Sequence, residues 1–279
     1  MNNILVTTDF SICANAAIAS AFKLAHYNGA RIHLLHVAAT AEDDYYRAGS
    51  DWKQKVEQQK VHNAELLMQE WKDKAAQEQL AITTTVRVGA FQEELKTFTE
   101  RAEFDLLVMG SHGSSGKREF FIGSNTQKTV RSLHLPILIV KDSIRELPFR
   151  HVVFASSFDE EEKSAFDRFL KIVRPFQPVV HLVSINTSGF FSQPYVLVQD
   201  AMATFRKMAA PMEVKIHFYK DYTVEAGIRH MSESIEADLV SLSNHNRRPL
   251  KRIFSGSNVE ALINHSQIPV LSIDFPRIS

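Results

Sequence analysis

The chain has 279 residues, 44% of them hydrophobic and 23% charged, the proportions of a soluble globular protein with material for about two domain cores. Its 32 basic and 32 acidic residues cancel, so no overall field steers it toward nucleic acid or a membrane surface. The single Cys13 excludes an internal disulfide and suits a reducing compartment. No run approaches the roughly 20 apolar residues that span a bilayer, and the opening MNNILVTTDF lacks the basic and long apolar regions of a secretory signal. The expectation is a cytoplasmic protein with neither nucleic acid nor membrane as a partner.

Taken in chain order, short apolar runs alternate with stretches of helical length. Strands are expected at NILVTT (3–8), RIHLLHV (31–37), ITTTVRV (82–88), DLLVMG (105–110) and PILIV (136–140). Helical patterns lie between them near 12–28, 50–79, 91–103 and 124–133. The polar stretch KDSIRELPFR (141–150) follows and reads as a domain boundary. Strands are then expected at HVVFAS (151–156), VVHLVSI (179–185), VKIHFY (214–219), DLVSLS (238–243) and PVLSI (269–273). This alternation is the signature of βαβ units around a parallel sheet, and continuously apolar strands fit a sheet covered on both faces.

The two series are copies of one another. At an offset of 133, Asp105 falls on Asp238, His112 on His245, Phe121 on Phe254, the run Gly123, Ser124, Asn125 on Gly256, Ser257, Asn258, and Pro136 on Pro269. At an offset of 148, Phe10 falls on Phe158, His33 on His181 and Leu34 on Leu182. The change of offset places an extra fifteen residues in the first copy between its second and third strands, within a charged stretch read as a longer surface helix. The domains expected are 1–142 and 149–279.

In an open parallel α/β sheet, ligands bind outside the carboxyl ends of the strands, where the strand order reverses. Gly110 closes the fourth strand, and Gly113 and Gly116 follow in a loop with little side-chain bulk. Such a loop lets backbone N–H groups approach a ligand closely. Ser124 reads as an N-cap opening a helix from Asn125, whose amino end suits phosphate. Glycines after a strand also serve simple turns, and a serine cap needs no ligand. It is not a Walker loop, because Lys117 is followed by Arg118.

GSHGSSGKREFFIGS (110–124) fits the pattern G-x2-G-x9-G-[ST] and resembles the nucleotide-binding universal stress proteins. ILVTTDFS (4–11) is similar to that family's first strand, LLHV (34–37) to its second and LPILIV (135–140) to its last. The resemblance covers essentially the whole chain as two tandem copies. It implies two Rossmann-like α/β domains of the adenine nucleotide alpha hydrolase type, each a five-stranded parallel sheet of order 3-2-1-4-5 with helices on both faces. It also implies ATP, with Mg²⁺, bound in the first copy. Thr8 and Asp9 would lie at the ribose or the metal–phosphate side, with Asp9 the metal-side carboxylate. Val37 would frame the adenine. Met109, Gly110, His112 and Gly113 would line base and ribose, while Gly113, Ser114, Gly123, Ser124 and Asn125 would hold the phosphates. Thr7 stands where the family usually has proline.

The second copy departs from the pattern. Ser157 replaces Asp9, Ser243 replaces Gly110 and Asn246 replaces Gly113, so side chains enter the space a nucleotide needs. The reading is a retained fold without the nucleotide; the rival is a different anion site at Arg247, Arg248, Lys251 and Arg252. His33 and His36, three apart on one strand, face opposite sides and cannot share a metal. Cys13, at a helix start, is a packing residue or a thiol of lowered pKa. Phe190 and Phe191 read as core or as a dimer or lid surface. The prolines opening PILIV and PVLSI mark edge strands, through which copies or chains would pair, and a homodimer is expected. No paired carboxylates or nucleophile–base set supports an enzyme. A regulatory, stress-response ATP-binding module is the first reading. An interaction protein with an empty loop and a slow ATP-using enzyme are the alternatives.

Overall fold

The computed structural model describes residues 1–40, 50–113, 122–187, 195–244 and 256–274. The first half contains β1 (Asn3–Thr7), α1 (Ile12–Asn28), β2 (Arg31–Ala38), α2 (Ser50–Gln77), β3 (Ile82–Val88), α3 (Phe91–Arg101), β4 (Leu106–Gly110), α4 (Ser124–Ser132) and β5 (Ile137–Val140). The second contains β6 (His151–Ala155), α5 (Lys163–Val173), β7 (Val179–Asn186), α6 (Tyr195–Met208), β8 (Val214–Lys220), α7 (Val224–Ser234), β9 (Leu239–Asn244), α8 (Gly256–His265) and β10 (Val270–Asp274).

Neighbouring residues on a strand point to opposite faces, and here both faces are buried. Ile4, Val6, Val152 and Phe154 join one apolar cluster, under α1, α2, α5 and α6. Leu5, Val153 and Ala155 join the other, under α3, α4, α7 and α8. That is why the strands read as unbroken apolar runs. The second half centres its first cluster on phenylalanines: Phe154 lies 4.8 Å from Phe166 and 5.1 Å from Phe169, centroid to centroid. Removing one such ring costs about 3–5 kcal/mol.

The helices follow from their sequences. Ser11 caps α1 by accepting the Ala14 N–H at 3.2 Å, and Gly29, in the left-handed region, ends it. Small buried residues, among them Ala14, Ala17 and Ala21, let α1 lie close on the sheet. The long charged α2 buries only a narrow stripe, with Ala64, Met68 and Ala75 at helical spacing and Trp71 edge-on to Phe22. It runs 28 residues against 14 in α6, which is where the first copy's extra length goes. Trp52, on the same helix, is exposed.

The ten strands of the described residues form one sheet, in the order β3-β2-β1-β4-β5-β10-β9-β6-β7-β8. Each half is parallel within itself, and the halves meet at an antiparallel pair in which Leu138 faces Leu271. The two edges marked by proline therefore satisfy each other inside one chain. A dimer of the whole chain would have to use another surface.

The connection 141–150 is no free linker. Ile144 and Phe149 are buried, the Ile144 N–H donates to Ser20 Oγ at 3.0 Å, and Lys23 Nζ reaches the Ile144 carbonyl at 2.5 Å. Its polar composition concealed two apolar anchors on the core.

Candidate functional site

β1 sits between β2 and β4, so the first half's strand order reverses at the β1–β4 gap, and both strands end in the loops singled out by sequence. After β1 the chain makes a tight, internally bonded turn. The Thr8 N–H donates to the Leu35 carbonyl at 3.0 Å, Thr8 Oγ1 accepts the Phe10 N–H at 2.9 Å, and the Thr8 carbonyl accepts from His36 Nδ1 at 2.8 Å. Phe10 takes a positive φ of 63° and lays its ring 4.8 Å from His36. Asp9 is left exposed at the tip, one carboxylate oxygen accepting the Ser11 N–H at 3.1 Å.

At the end of β4, two glycines are needed for close approach. A Cβ on Gly110 would stand 2.8 Å from the Cys13 backbone, and a Cβ on Gly113 would run into the Asp9 carboxylate. Residues 104 positions apart are thus set back to back. The chain leaves β4 with the Ser111 N–H on the Val140 carbonyl and returns with the Gly123 N–H on the Ser111 carbonyl, each at 2.8 Å. Thr126 Oγ1 donates to the Gly110 carbonyl at 2.9 Å, fastening α4 to the strand end. The N-cap is Gly123, without a side-chain hydrogen bond, and not Ser124, which is the first helical residue. Ser124 and Asn125 are exposed there. Val37 and Met109 belong to one apolar cluster, but Met109 is buried, so only its backbone borders the crevice. Ser114 lies outside the described residues, as do Gly116, Phe121, Phe190, Phe191, His245, Asn246 and the four basic residues of 246–252.

His112 turns inward. Its Nε2 lies 3.3 Å from Cys13 Sγ and its Nδ1 3.0 Å from Ser111 Oγ. Burial pushes the Cys13 thiol up despite the bond from Ser111, in line with the packing reading of Cys13 and against the alternative of a thiol of lowered pKa. Ser111 was not foreseen as part of this group, since nothing local distinguishes it from the loop serines. Among the described residues, no group of three or more His, Cys, Asp or Glu could hold a metal by itself. The exposed Asp9 fits the one-carboxylate role Mg²⁺ takes when phosphates complete its shell.

The second half repeats the turn and fills the crevice. Phe158 has φ 60°, and its N–H donates to Ser156 Oγ at 2.8 Å. Glu162, where the first copy has Ala14, is fully buried. Its Oε1 lies 3.0 Å from Ser243 Oγ and 3.2 Å from Ser157 Oγ, and its Oε2 accepts the Phe158 N–H at 3.2 Å. The first helical turn is rewound as a 3₁₀ turn over Glu160–Glu162, alongside a serine where β4 has glycine.

Two other features lie away from these crevices. Imidazoles form a row across β6, β7 and β8: His151 Nδ1 is 3.1 Å from His181 Nε2, and His181 Nδ1 is 2.9 Å from His217 Nε2. Burial, then His217, His151 and Lys215, pushes His181 down to about 4. In the first half, His33 has threonine partners instead, Thr83 at 2.8 Å and Thr85 at 3.0 Å. A cleft of 920 Å³ opens at the amino end of β4, bordered by Lys96, Arg101, Phe104, His134 and Arg168. It contains none of the residues the sequence assigned to a ligand.

The model of the Universal stress protein family matches the chain twice, over residues 1–141 and 148–273. Universal stress protein MJ0531 of Methanocaldococcus jannaschii is 27% identical over 143 residues, covering 51% of this chain and 84% of that protein. Universal stress protein MJ0577 of the same organism is 24% identical over 151 residues, covering 50% and 93%. Among solved structures, a universal stress protein from Archaeoglobus fulgidus superposes with a TM-score of 0.78 at 18% identity, covering 100% of this chain and 98% of that one. A functionally unknown protein from Pseudomonas aeruginosa PAO1 does so at 0.67 and 14%, covering 99% and 93%. No helix among the described residues is long and apolar enough to cross a membrane. With two matched copies that together span nearly its whole length, the chain belongs to the universal stress protein family as a tandem member.

Proposed function

We propose that the first half binds ATP with Mg²⁺, that the second half binds none, and that the protein works in the cytoplasm as a nucleotide-dependent regulatory module of the stress response, without an efficient catalytic step. The observation that carries this reading is the apposition of Gly113 and Asp9 at the switch point, beside a helix opened by a glycine N-cap with no side chain of its own to cap it. Asp9 would meet the ribose or the magnesium ion. Val37 and the backbone of Met109 and Gly110 would border the base. The amides of Gly113, Ser124 and Asn125, with the Ser124 hydroxyl, would donate to phosphate, a role helix amino ends fill readily, while Gly123, its own N–H on the Ser111 carbonyl, would let the phosphates approach closely. Mg²⁺ would supply charge neutralisation between the phosphates and Asp9. His112 is occupied with Cys13 and Ser111, so it acts as a wall and not as a base.

In the second half, Glu162 accepts from Ser243 Oγ at the equivalent strand end and shares Ser157 Oγ with Asp159 and the Phe158 N–H with Ser156 Oγ. A buried carboxylate there repels a second anion. The test is calorimetric titration of Mg·ATP into the protein and into Gly113→Val. The expected result is one saturable site in the former and loss of binding in the latter with the fold intact. Equal binding by both proteins would remove this loop from the reading.

A further inference from the structure

Besides its bonds within the first half, the loop–helix junction is tied to the second half through one helix, α8. The N–H of Ile122, which immediately precedes the N-cap Gly123, donates to Asn264 Oδ1 at 2.6 Å, a contact across 142 residues of chain. The Asn264 carbonyl in turn accepts from Lys141 Nζ at 2.7 Å. One turn back on α8, Glu260 is 8% exposed and accepts from Gln127 Nε2 at 2.6 Å, Arg131 Nε at 2.6 Å and Arg131 Nη2 at 2.9 Å. A carboxylate taken by both arms of a guanidinium fixes orientation as well as distance, so α4 is docked on α8 in one register.

The arrangement is not a by-product of the repeat. At the offset of 133, the residue of the first half that corresponds to Asn264 is Arg131. Arg131 turns to Glu260, whereas Asn264 turns to the backbone of the opposite half. The helix that would open the second half's own phosphate site has been given a different duty.

We propose that the second half serves as a built-in positioning partner for the first half's site, with Asn264 as the residue that holds the Ile122 N–H, one residue before the N-cap. This rests on the reading that the first half binds nucleotide. Ile122 leads directly into Gly123 and the first turn of α4, so holding it helps fix where the amides of that turn point, and a site already held in its bound geometry loses less on binding. Asn264 is a positioning residue; it touches the loop and not the ligand. It explains why a half whose crevice is filled by Glu162 keeps its full fold and its α8.

The test uses the full chain and two variants. Asn264→Ala removes the acceptor, while Asn264→Asp keeps it. Two quantities are read: the Mg·ATP dissociation constant by titration, and the hydrogen-exchange rate of the Ile122 amide without nucleotide. Asn264→Ala should weaken ATP about tenfold and speed Ile122 exchange, and Asn264→Asp should bring both back toward the parent values. A packing role alone would lower the melting temperature and leave the dissociation constant unchanged; that result, or an Ile122 amide that exchanges equally in all three proteins, overturns the proposal. If the parent protein binds no ATP, the nucleotide reading falls, and the Ile122 exchange rates still decide whether Asn264 holds the junction.

Discussion

The two crevices of this chain begin from the same backbone and end in opposite chemistry. Phe10 and Phe158 share a left-handed turn with the same N–H to hydroxyl bond, at 2.9 and 2.8 Å. In the first half an exposed carboxylate, Asp9, lies against Gly113, where any side chain would have to displace it. In the second, a buried carboxylate, Glu162, reaches in from the helix side and accepts from Ser243 Oγ at the strand end. The difference teaches that the two copies diverge by more than their glycines. A buried donor left unpaired costs about 1–3 kcal/mol, and Glu162 gives the buried Ser243 hydroxyl its partner.

That contrast can be broken at several points. Gly113→Val carries the largest expected effect: at least about 100-fold in ATP affinity, or about 2.8 kcal/mol, read by titration, because the new side chain must displace Asp9. Glu162→Ala comes next. It should lower the stability of the protein by about 2 kcal/mol in denaturant unfolding and leave first-half nucleotide affinity unchanged; a stability equal to the parent would mean that the Ser157, Ser243 and Phe158 donors do not depend on it. The smallest effect concerns pH. His181 titrates near 4 in the folded chain against 6.5 for the free side chain, so its neutral form is favoured by folding. The stability this confers is complete above pH 6.5 and drains as the pH falls toward 4, amounting to about 1.4 kcal/mol lost by pH 5.5. The signature to look for is a stability–pH slope in that window that His181→Leu flattens.

Much of the fold was legible in the sequence because the strands are buried on both faces. Leu5, Val108 and Val153 have no solvent side to encode, so apolar runs of strand length, bounded by glycine and proline, mark their positions to within a residue or so. The long α2 was equally legible, since a 28-residue charged stretch with a narrow apolar stripe has few other solutions. The site was legible as a loop and a strand end, but not as a geometry. The Asp9–Gly113 apposition joins distant residues through strand order alone. Glu162 hides in a run of three glutamates that reads as a solvated face, and only the 3₁₀ turn directs it inward. Asn264 carries no motif, and its role depends on the antiparallel joining of β5 and β10.

The most direct measurement is a count of bound nucleotide. The protein would be purified without added nucleotide, equilibrated with Mg·ATP, separated from free ligand and denatured, and the released small molecules identified by ion exchange with mass detection. One adenine nucleotide per chain is the predicted result, with the first half occupied and the second closed by Glu162. Two per chain would contradict the closed second crevice, and none would contradict the nucleotide site itself.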